Sequence, residues 1–254
     1  MTFSGKSFSY HGMCDLMLLM IESFLGGLGL EIHVRTTRID NAKSGYSFIS
    51  GAALRVGQDV LEVKDDGSVL VNGDVFDIDD NLGGEFAGHS ITKHFKGSKK
   101  NIVVYDLTFG AGATVQVRTN MRTGMIFLDV SKHISDDAVG LLGSPAHDYL
   151  FFRDGAVDMT GQWNSFGESF QINADDPKLF EDKDRVPQYP AGCIYRSQSE
   201  KKNGLRRQLL EESVSMDVAS KACAETSGSK KSFCIEDVML TGDVELAQDS
   251  FYHN

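Results

Sequence analysis

Residues 30–172 alternate apolar and polar side chains in short runs broken by glycine turns, and this period of two constrains the fold more than any other feature. Leu30, Ile32 and Val34 alternate with Glu31, His33 and Arg35, as in a strand with one face in a core and the other in water. Val115 and Val117 alternate with Thr114, Gln116 and Arg118 in the same way. Residues 125–130 are apolar on both faces, which predicts a more central strand. Asp65-Asp66-Gly67 separates two apolar runs and predicts a hairpin, and Asn72-Gly73, Thr123-Gly124 and Asp154-Gly155 mark further turns. With 26 Gly against 4 Pro, and no helical period between the runs, the chain reads as mainly β. The expected architecture is an antiparallel two-sheet sandwich rather than α/β.

Beyond residue 172 the alternation stops. Residues 173–192 are polar and acidic and hold three of the four prolines, so they read as a linker. Leu210, Val214 and Val218 recur at helical spacing, and a second helix is expected over residues 244–251. The division is therefore a sandwich over 1–172, a linker over 173–192 and a small C-terminal helical annex over 193–254.

Charge narrows the partners. Twenty-five basic residues against 36 acidic ones leave a net charge of -11, which supplies no cationic surface for nucleic-acid phosphate or for anionic membranes. The apolar run at residues 16–21 is too short to span a bilayer, so no transmembrane segment is expected. It also lacks a preceding basic stretch and a cleavage site, so no signal peptide is expected within this chain.

Cysteines stand at positions 14, 193, 223 and 234, with no C-x-x-C pair to suggest zinc or thioredoxin chemistry. The even count fits two disulfides better than four free thiols. No catalytic constellation is visible, and the chain reads as no enzyme. His11, His33, His89, His94, His133, His147 and His253 are scattered, and neither H-E-x-x-H nor G-x-S-x-G occurs. His33, on a polar strand face, is expected in solvent, and His147 beside Asp148 reads as a loop pair. Gly26-Gly27-Leu28-Gly29 and Gly110-Ala111-Gly112 open no helix and read as hairpin or bulge glycines rather than phosphate cradles. Asp136-Asp137, and Asp77, Asp79 and Asp80 with Asn81, lack the EF-hand frame and read as solvated acidic loops. Lys201-Lys202 with Arg206-Arg207 reads as a solvated helix start, with a processing site or docking patch as the alternative.

Four motifs occur in an order that points to a family. They are Thr2-Phe3-Ser4-Gly5 running on to Gly12-Met13-Cys14, then Val69-Leu70-Val71-Asn72-Gly73, then Gly140-Leu141-Leu142-Gly143, then Asp154-Gly155 followed by Phe166-Gly167-Glu168-Ser169-Phe170. Together they resemble a von Willebrand factor type D domain over residues 2–172. The resemblance implies an extracellular, non-catalytic module for adhesion or assembly, partnered by other extracellular modules or by its own copies. A ligand- or lipid-binding module is the alternative, and a hydrolase on a β-sandwich stands behind both. The resemblance also implies calcium in the loop after Gly143, where Asp148 is the only carboxylate and hence the candidate ligand. It pairs Cys14 with Cys193, which leaves Cys223 and Cys234 to close the annex. Phe170 stands where the family has Trp, and it is expected to anchor the end of the sandwich with Trp163 and Phe166. Two departures are plain: Leu142 replaces a frequent Cys, and the family's upstream Gly-Asp-Pro-His element is missing, so the chain is expected to begin inside the domain.

Overall fold

The computed structural model describes residues 2–6, 8, 10–38, 47–80, 82–96, 100–157, 161, 163–182 and 214–248. Asn81, Cys193, Lys201, Lys202, Arg206, Arg207, Leu210, His253 and the linker residues 183–192 lie outside the described residues.

The described strands form two antiparallel sheets, each in simple chain order. The first contains β1 (Asp15–Ile21), β2 (Leu30–Arg38), β3 (Ser47–Val56), β4 (Asp59–Lys64), β5 (Val69–Val71) and β6 (Asp74–Val75). Residues 76–83 cross to the second, which contains β7 (Gly84–Phe86), β8 (His89–Lys96), β9 (Ile102–Thr108), β10 (Thr114–Asn120) and β11 (Met125–Val130). Short connections between successive strands leave room only for antiparallel hairpins, so each strand pairs with its predecessor. The β5–β6 turn shows the local rule: Asn72 and Gly73 both have positive φ, 53° and 88°, as a type I′ turn requires. A four-residue helical turn, α1 (Phe24–Gly27), joins β1 to β2, with Leu25 and Gly26 in left-handed conformations.

Alternation places Ile32, Val34, Leu54, Leu61 and Val63 of the first sheet in one buried cluster with Tyr105, Leu107, Val115 and Val117 of the second. β1 would otherwise offer an open edge, the usual place for unwanted strand pairing. Later chain covers it. Met20 and Val139 exchange backbone hydrogen bonds of 2.7 and 2.9 Å, Met17 N–H donates to the Phe170 carbonyl at 2.8 Å, and Ile172 N–H donates to the Asp15 carbonyl at 2.9 Å.

The structure departs from the expected pattern in three places. The last described strand ends at Val130, so the period of two does not run to residue 172. Residues 131–157 are turns and isolated bridges, and α2 (Trp163–Ser169) follows, carrying Phe166 into the core. β11 is an edge strand, not a central one. It is apolar on both faces because the annex covers the outer one: Met125 and Phe127 pack with Ala219, Cys223, Cys234, Val238 and Leu246. The annex itself is α3 (Met216–Ala222), α4 (Gly228–Thr241) and a 3-10 turn (Val244–Gln248). The Ser215 side chain caps α3 by accepting from Val218 N–H, and Gly242, at φ 67°, ends α4. The helical spacing expected of Leu210, Val214 and Val218 does not hold across the last two: α3 begins only at Met216, so the buried Val214 precedes it, and Val218 is 45% exposed because α3 turns Ala219 and Cys223 inward instead. Cys223 and Cys234 are disulfide-bonded, with Cα atoms 6.0 Å apart. Arg122 Nη2 reaches the buried Asp243 carboxylate at 2.5 Å and ties the annex to the β10–β11 turn.

Candidate functional site

The outer face of the first sheet is where buried charge concentrates. Register aligns Asp15 with Arg35 and Gly51, Met17 with His33, Ala53 and Glu62, and Glu31 with Arg55. An outward-facing stripe of Glu, His and Arg on β2 belongs in water, yet Glu31, His33 and Arg35 are all buried. The expectation that His33 is solvent-exposed is therefore overturned: it is 0% exposed. The physical reason is a cover that alternation within β2 does not reveal. Residues 173–182, expected to open the linker, lie across this face as a strap.

The strap is anchored at both ends. At its start, Arg153 grips the Asp176 carboxylate through two hydrogen bonds of 2.9 and 2.6 Å, and Asp176 also accepts from Asn173 N–H at 2.7 Å. Farther along, Leu179 and Phe180 pack on Ala53 and Val60. The Phe180 ring stacks against the Arg35 guanidinium, 4.3 Å from ring centroid to Cζ. Gly51 makes room for that ring, since a Cβ there would stand 3.1 Å from Phe180 Cε1. Glu181 N–H donates to Glu62 Oε2 at 2.8 Å, and Arg35 Nη2 donates to the Asp182 carbonyl at 3.1 Å.

Beneath the strap the charges are paired. Arg35 holds Asp15 in a bidentate pair at 2.7 and 2.8 Å, the geometry in which a guanidinium matches a carboxylate best. Glu31 is bridged by Arg55 and by His33, whose Nε2 lies 2.6 Å from Glu31 Oε1. Burial alone would raise the Glu31 carboxyl, but the hydrogen bonds and charges of His33 and Arg55 hold it below its ordinary value. An ionised carboxylate only accepts, so Nε2 carries the proton in this pair. His33 Nδ1 is buried with no partner among the described residues. Burial also opposes ionisation of Asp176, and Arg153 with the Asn173 N–H outweighs it, so this carboxyl too is held low. Groups bound in this way form a fixed electrostatic layer. None is presented to solvent as a free nucleophile or base.

The strap does not fill the trough it lies in. On one side is a cleft of about 420 Å³ lined by Arg35, Ser50, Gly51, Lys64 and Asp182, and on the other one of about 320 Å³ lined by Val60, Leu70, Asn72 and Lys178. Phe180, Glu181 and Glu62 border both. The signal for this site in the sequence was Leu179-Phe180, two large apolar residues inside an acidic segment, together with the small Gly51 and Ala53 in a strand.

The candidates read from the sequence do not converge here. Asp148 is exposed, and among the described residues no three His, Cys, Asp or Glu side chains gather as a metal site. The donors present do not fit a dedicated calcium site, which takes six to eight oxygens. In that loop Ser144 Oγ donates to the Asp136 carbonyl at 2.5 Å, and His147 stacks on Tyr149 with ring centroids 5.2 Å apart. Asp137 is bonded by Ser135, Asp79 accepts from Leu82 N–H, and Asp80 pairs with Lys93 at 3.1 Å. His94 meets Asp106 at 3.3 Å on the second sheet, His89 packs on Phe109, His11 Nδ1 accepts from Ser47 N–H, and His133 is exposed. Cys14 is buried and disulfide-bonded, and Cys193, its expected partner, is outside the described residues.

Three of the four sequence motifs lie against one another. Phe3 N–H donates to the Leu142 carbonyl at 2.9 Å, joining the first motif to the third. Gly167 of the fourth lies against Tyr10 of the first, so closely that a Cβ would come within 2.4 Å of the ring. Phe170 is fully buried against Phe166, which also meets Phe8, while Trp163 stacks on Phe8 at 5.5 Å. Neither the protein-family models nor the curated proteins yield a match to this chain.

Proposed function

We propose that this chain is an extracellular, non-catalytic assembly module of the von Willebrand factor type D kind, binding other protein segments through the outer face of its first sheet. The observation that carries this reading is the strapped trough: a rigid sheet face with fixed charges, an aromatic seat and two open clefts suited to a polypeptide. The Cys223–Cys234 disulfide supports an oxidising compartment, where such bonds persist. Alkylation of native protein followed by intact mass tests the compartment: no cysteine should be modified before reduction, and modified native thiols would remove the extracellular half. Sedimentation across a concentration series, alone and with candidate modules, tests assembly.

One observation favours a second reading, a carrier of a small apolar ligand. A groove of about 410 Å³ runs beside β11, lined by Phe3, Leu18, Ile49, Leu128, Leu142 and Phe233. Saturable binding of a fatty acid, abolished by filling the groove with Leu18→Trp, would move the assignment there.

A further inference from the structure

The strap shows what the outer face of the first sheet recognises. We infer that this trough is a docking groove for an extended segment of apolar, aromatic and then acidic residues, and that its partner is the strap of a second copy of this chain. The inference rests on the assembly reading and names the partner. Apart from a local bond from Lys178 Nζ to the Ala174 carbonyl, the contacts that hold residues 178–182 are made to distant parts of the chain: Phe180 to Gly51 and Arg35, the Glu181 N–H to Glu62, and the Asp182 carbonyl to Arg35. An identical segment arriving from another molecule can make each of these long-range contacts. Lys64 favours this polarity: its Nζ lies 3.7 Å from the Glu181 carboxylate, at the end of the groove where Glu62 and Asp65 also line the cleft and Arg35 is already paired with Asp15.

The anchor and the moving part are separated in sequence. Arg153 clamps Asp176, where the chain bends, and the next residue is Pro177, whose ring disfavours a helical conformation at the residue before it. Exchange therefore needs only residues 178–182 to leave one groove and enter another, while Asp176 and the annex keep their own contacts. Two straps still fill two grooves, so the exchanged pair keeps the contacts of the monomer, as in domain swapping. The balance is set by protein concentration against the effective concentration of a tethered strap, which is about millimolar for a short tether.

The test uses the whole chain and a synthetic peptide of residues 176–182. The peptide should bind the Phe180→Ala protein, whose own strap has lost its anchor, and a peptide with Phe replaced by Ala should bind about thirty-fold more weakly. Wild-type protein concentrated to the millimolar range should show a dimer by light scattering, and excess peptide should suppress it. Phe180→Leu keeps an apolar side chain and replaces Phe180→Ala if that variant does not fold. Absence of peptide binding, or binding indifferent to the Phe, overturns the groove. Peptide binding with a protein that stays monomeric overturns the second copy as its occupant. A dimer that persists in Phe180→Ala overturns the strap as the means of association and leaves the broader assembly reading standing.

Discussion

At the scale of single residues, two kinds of position decide whether this chain closes: glycines where backbones touch, and carboxylates in and beneath the strap. Gly140 lies at φ 143°, and a Cβ there would stand 2.4 Å from the Leu18 carbonyl oxygen. Gly155 also has positive φ, 86°, but nothing lies within 4 Å of its missing Cβ. Gly155→Ala should therefore cost only the left-handed strain, about 1–2 kcal/mol. Gly140→Ala adds overpacking against β1, a further ~1–3 kcal/mol, so its urea midpoint should fall clearly below that of Gly155→Ala. Equal midpoints would mean that β1 yields freely. For the carboxylates the sign follows from their depressed folded values. Glu31 and Asp176 lie below their ordinary 4.5 and 3.8. Their contribution is complete above those values and is lost as pH falls through the lowered ones. Stability should thus hold from neutral pH down to about the ordinary carboxylate range and then drop, and Asp176→Asn should flatten that drop. Urea midpoints measured across the acid range check it, and an unchanged slope in Asp176→Asn would exclude Arg153–Asp176 as a source.

Whole elements show how far the sequence could be read. The β2 alternation, the Asp65-Asp66-Gly67 hairpin and the Asn72-Gly73 turn depend on neighbouring residues, and local spacing exposes them. What lies on top of a strand is a long-range fact. His33 looked solvated because residues 173–182 are nearly 150 residues away, as the Arg35-to-Asp182 separation of 147 shows. β11 looked central for the same reason, its second apolar face being turned to the annex. The α4 helix, inside the expected helical annex, is legible in the spacing of Cys234, Val238 and Met239. The annex is also where an element-scale prediction falls. Its apolar cluster is distinct from the sandwich core, and the Cys223–Cys234 bond, of sequence separation 11, closes within it. Replacing both cysteines with Ala should destabilise the annex by about 3 kcal/mol in the chain-entropy model. Hydrogen exchange should quicken in residues 216–241 and stay slow in β2, β3 and β9; equal quickening everywhere would mean that the annex and sandwich unfold as one.

The two sheets are held by a single cluster that spans both, and its last contribution comes from the far end of the described sandwich. Phe166 and Phe170 are fully buried, with ring centroids 5.4 Å apart, and Phe166 continues the contact to Phe8 and Phe152. Phe170 also gives its carbonyl to Met17 N–H, so the same residue closes the core and seals the edge of β1. Truncating such a side chain leaves a cavity between layers that cannot slide together without breaking the ladder, which puts Phe170→Ala at about 3–5 kcal/mol. A native domain has only ~5–15 kcal/mol in total, so much of the margin goes with one ring. Because the cluster is continuous, the loss should be global. Exchange protection in β2, β3, β9 and β10 should fall together by a similar free energy, the reverse of the local effect expected for the annex cysteines. The backbone bond to Met17 survives the substitution, so β1 should remain paired in the folded state. If protection falls only in residues 163–172 while the strands keep theirs, the aromatic group is a local plug, and the two sheets are held without it.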